Sequence, residues 1–151
     1  MAGATEGSGS PLTYDRRRTV EWGDSDPAAF INSPRAFDFA VECIEGYYRD
    51  VLGLSFVGLL EQRRMGAPVV HARCDFKATV RESDTVDLIL SIDRLGTSSV
   101  TWHVDAFLDG KPVFEVWMVS SYIRLADGRP VPIPDDFYSR MEPYLRQPGA
   151  E

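Results

Sequence analysis

The sequence predicts an α+β domain in which one long helix packs against an antiparallel sheet. Three observations lead there. The stretch from Ser33 to Gly53 carries apolar residues at helical spacing. Four later stretches alternate with the period of two that a half-buried strand requires. Asp109-Gly110, a strong hairpin turn, joins the last two of them.

The elements follow in order. Met1 to Pro11 is small and polar and reads as a flexible tail; a single folded domain is expected over residues 12–146, with a frayed end from Gln147 to Glu151. Leu12 to Trp22 reads as a first strand, with Tyr14, Arg16, Arg18, Val20 and Trp22 on one face. Gly23-Asp24-Ser25-Asp26-Pro27 is dense in residues that favour turns. The helix has signals at both ends: Ser33 as N-cap, Pro34 at the first helical position, and Gly53 for a left-handed residue at the C-terminus. Phe37, Val41, Ile44 and Tyr48 recur at helical spacing, and Phe39, Ala40, Cys43 and Tyr47 widen that face, so burial on more than one side is expected.

The strand runs are Ala67 to Thr79, Thr85 to Arg94, Ser98 to Leu108 and Pro112 to Leu125, read as a four-strand meander with a turn at Leu95-Gly96-Thr97. In the third run Val100, Trp102, Val104, Ala106 and Leu108 alternate with Thr101, His103, Asp105 and Phe107. A short closing helix is expected near Pro134 to Leu145. Such a sheet has one apolar face, and the helix is the only element large enough to cover it. A curved sheet wrapped around one helix fits this string, as do other α+β arrangements.

Bulk properties narrow the function. At 151 residues the chain suits one domain with a real core. A net charge of −7 speaks against nucleic acid and anionic membrane partners, which call for a basic surface, although a few local arginines can still hold phosphates. No apolar run reaches the roughly 18 residues of a membrane span. The N-terminus lacks the apolar core of a secretion signal, so a cytoplasmic location is expected. Cys43 and Cys74 show no metal or redox spacing and are expected to be buried small hydrophobes.

The segment Val20-Glu21-Trp22-Gly23-Asp24-Ser25-Asp26-Pro27-Ala28-Ala29-Phe30 resembles the signature of the 4-hydroxybenzoyl-CoA thioesterase family, in which a strand runs into G-D-x-D-P-A-G and then into the central helix. The resemblance continues through Pro34, Gly66-Ala67-Pro68-Val69-Val70 and Gly96-Thr97-Ser98-Ser99, spanning Tyr14 to Phe137. It implies the hot-dog fold, hydrolysis of CoA esters, and Asp26 as the catalytic carboxylate, with the backbone N–H of Ser33 polarising the thioester carbonyl. The physics agrees: a carboxylate ionised at neutral pH can attack or activate water, and a helix N-terminus offers free N–H groups and positive potential.

The chain departs from that pattern in places. Ala29 stands where the family has Gly, which limits access to positive φ. Ser33 replaces an aromatic residue. Leu95, Gly96 and Thr97 replace basic residues, leaving Arg94 and Thr97 as the candidates for holding CoA, with Arg63, Arg64, Lys77 and Arg124 as further cations. Glu42, about two turns into the helix, is an alternative catalytic carboxylate, and Asp24 reads as a turn former or supporting partner. His71 and His103 lie in strands outside any metal or catalytic pattern and read as structural; no metal or cofactor is expected. The expected protein is an acyl-CoA thioesterase for an aromatic or bulky acyl group, suggested by Phe30, Phe37 and Phe39, and assembled as a homodimer or homotetramer. A non-catalytic acyl-CoA or acyl-carrier binding protein and an acyl-carrier-protein thioesterase are the alternatives.

Overall fold

The structure, a computed structural model, describes residues 10–147. The tail expected over Met1 to Pro11 and the end expected from Gln147 to Glu151 therefore fall almost wholly outside the described residues. Strand β1 (Tyr14–Thr19) enters a tight 3-10 turn, Trp22–Asp24, and then a loop before α1 (Arg35–Tyr47). Helix α1 continues through one wider π-helical turn, Tyr48–Leu52, and stops at Gly53, whose φ of 74° is the left-handed conformation expected of it. A second helix, α2 (Phe56–Arg63), follows at once, its Ser55 hydroxyl accepting the Gly58 N–H at 2.9 Å. The rest is β2 (Met65–Gly66), β3 (Val69–Phe76), β4 (Thr85–Leu95), β5 (Ser99–Leu108), β6 (Lys111–Ser121), β7 (Ile123–Arg124) and α3 (Asp135–Met141).

Five strands form one antiparallel sheet in the order β1-β4-β5-β6-β3, and β2 pairs with β7 in a separate ribbon. The meander is thus three strands long, not four. Strand β3 crosses to the far edge beside β6, because the first edge of the meander, β4, is already occupied by β1. Alternation decides which face is covered. Val86, Leu88, Leu90 and Ile92 of β4, Val100, Trp102, Val104 and Ala106 of β5, and Val116 and Met118 of β6 are all buried. They meet Ala36, Phe39, Ala40, Cys43, Ile44 and Tyr47 of α1 in one core. Each large side chain buried this way contributes roughly 1.5–3 kcal/mol before entropy is counted. This is the hot-dog arrangement of a curved sheet around one helix.

Strand β1 shows the expected alternation, with Tyr14, Arg16 and Arg18 facing inward. Its face does not extend to Trp22, which is 73% exposed: the Val20 N–H donates to the Asp84 carbonyl and the chain then turns away. Gly46 permits α1 to cross β1 closely, since a Cβ there would lie 2.6 Å from the Tyr14 hydroxyl. Among the described residues no helix is long and apolar enough to cross a membrane.

Candidate active site

The loop between β1 and α1 is a closed structure. The Asn32 N–H donates to the Asp24 carbonyl at 2.8 Å, and Ser25 and Ile31 form an antiparallel bridge. The Ile31 N–H donates to the Val80 carbonyl at 2.8 Å and the Glu82 N–H to the Ala29 carbonyl at 2.9 Å, so the loop is also tied to the residues leading into β4. Arg81 lays its guanidinium over the Phe30 ring, 4.9 Å from its centroid. Ala29 adopts φ 66° despite its Cβ, the left-handed conformation that glycine takes more readily.

Asp26 lies within this loop, partly exposed. Its Oδ1 accepts the N–H groups of Ala28 at 2.8 Å and Phe30 at 3.2 Å. Among the described residues its Oδ2 has no partner, so one oxygen fixes the carboxylate and the other is available. Helix α1 begins one residue later than Ser33-Pro34 suggests. Pro34 occupies the capping position, no side chain caps the helix, and the Arg35 and Ala36 N–H groups donate to Asn32 and Ser33 carbonyls at 2.8 and 3.1 Å. The Ser33 N–H has no acceptor among the described residues, so the helix start keeps a free donor where the resemblance implies one.

Asp24, two residues from Asp26, has a different environment. It is 2% exposed. Its Oδ2 accepts the Glu21 N–H at 2.9 Å and Arg18 Nη1 at 2.9 Å, while Oδ1 accepts Arg35 Nε at 2.9 Å and Nη2 at 2.5 Å. Burial alone raises its pKa, but the Glu21 N–H and the guanidiniums of Arg35 and Arg18 outweigh that and hold the carboxyl below its ordinary value. Arg18 also grips both oxygens of Glu42, at 2.8 and 3.3 Å. Glu42 is therefore partner-paired, with one acceptor site on each oxygen taken by the Arg18 guanidinium. The sequence reading missed Arg18 and Arg35 as organisers of this network. The available signal was a charged residue on the inward face of β1 and another in the first helical turn.

Other candidates lie elsewhere. Arg94 and Thr97 sit at the β4–β5 turn. The Asp26 loop is tied to the residues before Thr85, at the opposite end of β4, roughly 30 Å away at about 3.3 Å per residue. One chain does not bring them to Asp26. Phe39 is fully buried with Arg18 over its ring at 4.4 Å, which leaves Phe30 and Phe37 as the partly exposed aromatics near the helix start. His71 is exposed on β3. His103 is buried on the sheet face opposite α1, between Ser91 Oγ at 3.4 Å and Glu115 Oε2 at 2.6 Å. With Asp105 it forms the one group of potential metal ligands among the described residues, its donor atoms within 4.8 Å of one another. That group is internally matched, since Lys77 Nζ lies 2.9 Å from the other oxygen of Glu115. Cys43 is buried and free, its thiol pushed up to about 12 by burial; burial likewise raises Cys74 to about 11.

Comparison with known proteins places this geometry. Residues 20–141 match the model of the thioesterase-like superfamily. No curated protein matches the chain. A thioesterase-superfamily structure from Jannaschia sp. CCS1 is similar at a TM-score of 0.83 and 25% identity, covering 93% of this chain and 99% of that one. A 1,4-dihydroxy-2-naphthoyl-CoA thioesterase from Synechocystis is similar at 0.80 and 18% identity, covering 86% and 96%. A gentisyl-coenzyme A thioesterase is similar at 0.73 and 23% identity, covering 84% and 98%. The strand-to-helix loop, the sheet order and the matched span together make this chain a member of the thioesterase-like superfamily with the hot-dog fold.

Proposed function

We propose that the protein is an acyl-CoA thioesterase of the cytoplasm, in which Asp26 attacks the thioester carbonyl or activates the water that does. The observation that carries this is the state of Asp26: one oxygen held by two loop N–H groups, the other without a partner. A carboxylate so tethered is oriented at little entropic cost and keeps a lone pair for chemistry. The Ser33 N–H and the dipole of α1 supply positive potential for the oxyanion that forms when the carbonyl is attacked. Thiolate is a good leaving group, so a site without a histidine acid is chemically sufficient. Glu42, clamped by Arg18, is the second candidate carboxylate; that ion pair stabilises its charge and weakens it as a base.

A second copy of the chain belongs in this reading. Strand β3 is an edge strand whose outer side is unpaired among the described residues, and Val69, Val70 and Phe76 are 45%, 63% and 47% exposed. An unpaired edge that carries exposed apolar side chains is a template for another strand. Antiparallel pairing of β3 with its copy gives a homodimer, and pairs of dimers give a tetramer. Partly exposed Phe30 and Phe37 favour an aromatic or bulky acyl group.

The test is thiol release from a panel of aryl- and alkyl-CoA esters by wild type and Asp26→Asn. Turnover that vanishes in the variant supports the assignment. Full turnover in Asp26→Asn removes it and directs attention to Glu42→Gln. No turnover on any CoA or carrier-protein ester leaves a binding protein. Incorporation of heavy oxygen from water into Asp26 during a single turnover separates attack by the carboxylate from activation of water.

A further inference from the structure

Residues 80–84 form a platform beside the Asp26 loop, fixed on two sides. On one side the Ile31 N–H donates to the Val80 carbonyl and the Glu82 N–H to the Ala29 carbonyl, and Phe30 and Arg81 are bridge partners. On the other, the Val20 N–H donates to the Asp84 carbonyl at 2.8 Å and the Ser83 N–H to the Val20 carbonyl at 2.7 Å. Pleating then sets direction. Ile31 and Val80 are 7% and 1% exposed and face the core, so their neighbours Phe30 and Arg81 face outward together.

The charged groups around this pair are engaged, with one exception. Asp24 is shared by Arg18 and Arg35, and Asp38 takes Arg35 Nη1 at 2.9 Å. Glu82 accepts the Ser83 hydroxyl at 2.7 Å, and Asp84 Oδ2 accepts the Arg81 backbone N–H at 2.8 Å. The Arg81 guanidinium has no carboxylate partner among the described residues; it rests on the Phe30 ring, 4.9 Å from the centroid. A guanidinium stacked on a ring keeps its N–H edges free, so Arg81 is an oriented cation with unused donors.

Distance limits what it can meet. The Phe30 N lies 3.2 Å from Asp26 Oδ1. Across the Phe30 side chain, the guanidinium therefore stands within about 13 Å of that carboxylate. Contact of a thioester carbonyl with Asp26 and of a carboxylate with Arg81 leaves at most about 6 Å between the two carbons of the substrate. That is the span across a para-disubstituted benzene ring, or along a chain of about four methylenes. The phosphates of CoA lie farther off, at the end of the extended pantetheine arm.

We propose that Arg81 is a specificity-determining residue that receives a carboxylate at the far end of the acyl group, whose body lies along Phe30. This rests on the thioesterase reading and narrows its substrate class to acyl groups that end in a carboxylate, the monothioester of an aromatic diacid fitting best. The guanidinium fork takes a carboxylate through two parallel N–H···O bonds and so fixes the far end of the substrate relative to Asp26. It also offsets the repulsion that an anionic acyl group meets on a chain of net charge −7.

The test compares benzoyl-CoA with 4-carboxybenzoyl-CoA on the full chain as wild type, Arg81→Met and Arg81→Lys; adipoyl-CoA against hexanoyl-CoA repeats it on an aliphatic chain. Methionine keeps an extended apolar side chain on Phe30 without the charge, and lysine keeps the charge without the fork. Wild type should show the higher kcat/KM with the carboxylated ester. Arg81→Met should lower that value about ten-fold or more and move the uncharged ester less than about two-fold, with Arg81→Lys in between. Equal losses with both esters, or no loss with either, overturn the proposal. The same acyl groups on N-acetylcysteamine, which bears no phosphate, locate the anion. The preference should persist there; its disappearance assigns Arg81 to a phosphate of CoA and overturns the proposal. Titration with S-phenacyl-CoA and S-(4-carboxyphenacyl)-CoA, thioethers that cannot be hydrolysed as thioesters, separates the two readings. Tighter binding of the carboxylated thioether that Arg81→Met abolishes, in a chain that turns over no thioester, keeps the anion site and removes the thioesterase. Turnover of both esters with no preference that depends on Arg81 does the reverse.

Discussion

At the start of α1 the structure is held by ions: Asp24 takes a backbone N–H and two guanidiniums, Arg18 reaches on to Glu42, and Arg35 to Asp38 at 2.9 Å. At its end it is held by rings. Tyr47 stands edge-on to Tyr14, Trp102 and Tyr144 with centroids 5.0 to 5.9 Å apart, and Tyr48 packs against Phe56 and Phe137. The buried hydroxyls of Tyr48 and Tyr122 share a hydrogen bond of 2.5 Å. The difference separates two duties. Interlocked rings fix the helix against the sheet, because any shift opens a void. Ion pairs and short loop hydrogen bonds set the position of polar groups while leaving lone pairs and N–H groups near solvent, and that is where Asp26 sits.

Asp26→Asn has the largest expected effect. Removing the nucleophile or base lowers kcat by about 10²- to 10⁴-fold, while the melting temperature barely moves, because Oδ1 can still accept the loop N–H groups. A large loss of stability would mean that Asp26 belongs with Asp24 as a structural carboxylate, and the contrast between them would collapse.

Asp24→Asn is the converse experiment. Breaking a buried pair leaves the remaining charges uncompensated and costs about 3–5 kcal/mol; part of that is recovered because Arg18 and Arg35 reach solvent, so about 2–4 kcal/mol is expected in denaturant titration. The pH dependence has a definite sign. The folded-state pKa of Asp24 lies below its ordinary value of 3.8. Its contribution is therefore complete above that unfolded value and is lost as pH falls through the folded one. The stability gap between wild type and Asp24→Asn should narrow as the pH drops below about 4. A gap independent of acid would show that packing, not charge, carries the effect.

These two acids also mark what could be read from the chain itself. Period-two alternation located β4 and β5 to within a residue and the start of β6, since each has one face buried against α1 and the other less so, although β6 ends at Ser121, four residues before the expected Leu125; Gly53 ended the helix where its backbone freedom suggested. The exchange of β3 to the far edge was not legible: alternation reports which side is buried, not which neighbour lies alongside. Helix α2 went unseen because Phe56–Arg63 has only Gly58 and Leu59 buried and so little periodic signal. At the site, Asp26 stood out through its motif. The partners of Asp24 come from β1 and from α1, and spacing along the chain says nothing about which charges a fold brings together. The pairing of His103 with Glu115, across β5 and β6, was hidden for the same reason.

At the ring-held end the expected effects are smaller. Tyr48→Phe or Tyr122→Phe leaves one hydroxyl buried without its partner and should cost about 1–2 kcal/mol. The double variant should cost little more than either single one, because both remove the same bond. Burial pushes both tyrosines up, Tyr48 to about 12, so neither should ionise in a spectroscopic titration before the chain unfolds. Full additivity would mean that the two hydroxyls act separately.

The smallest change tests whether the loop is strained. Ala29 holds φ 66° while its N–H donates to the Asp26 carbonyl and its carbonyl accepts the Glu82 N–H, both at 2.9 Å, so the loop geometry, not the side chain, sets that angle. A non-glycine residue there costs about 1 kcal/mol, whereas glycine adds unfolded-state entropy worth somewhat less than that. Ala29→Gly should therefore change stability by at most about 0.5 kcal/mol, in the stabilising direction, and leave kcat within two-fold. A clear destabilisation with reduced turnover would reveal that the Ala29 methyl stiffens the loop that presents Asp26, and that the polar end of α1 depends on rigidity as much as the aromatic end does.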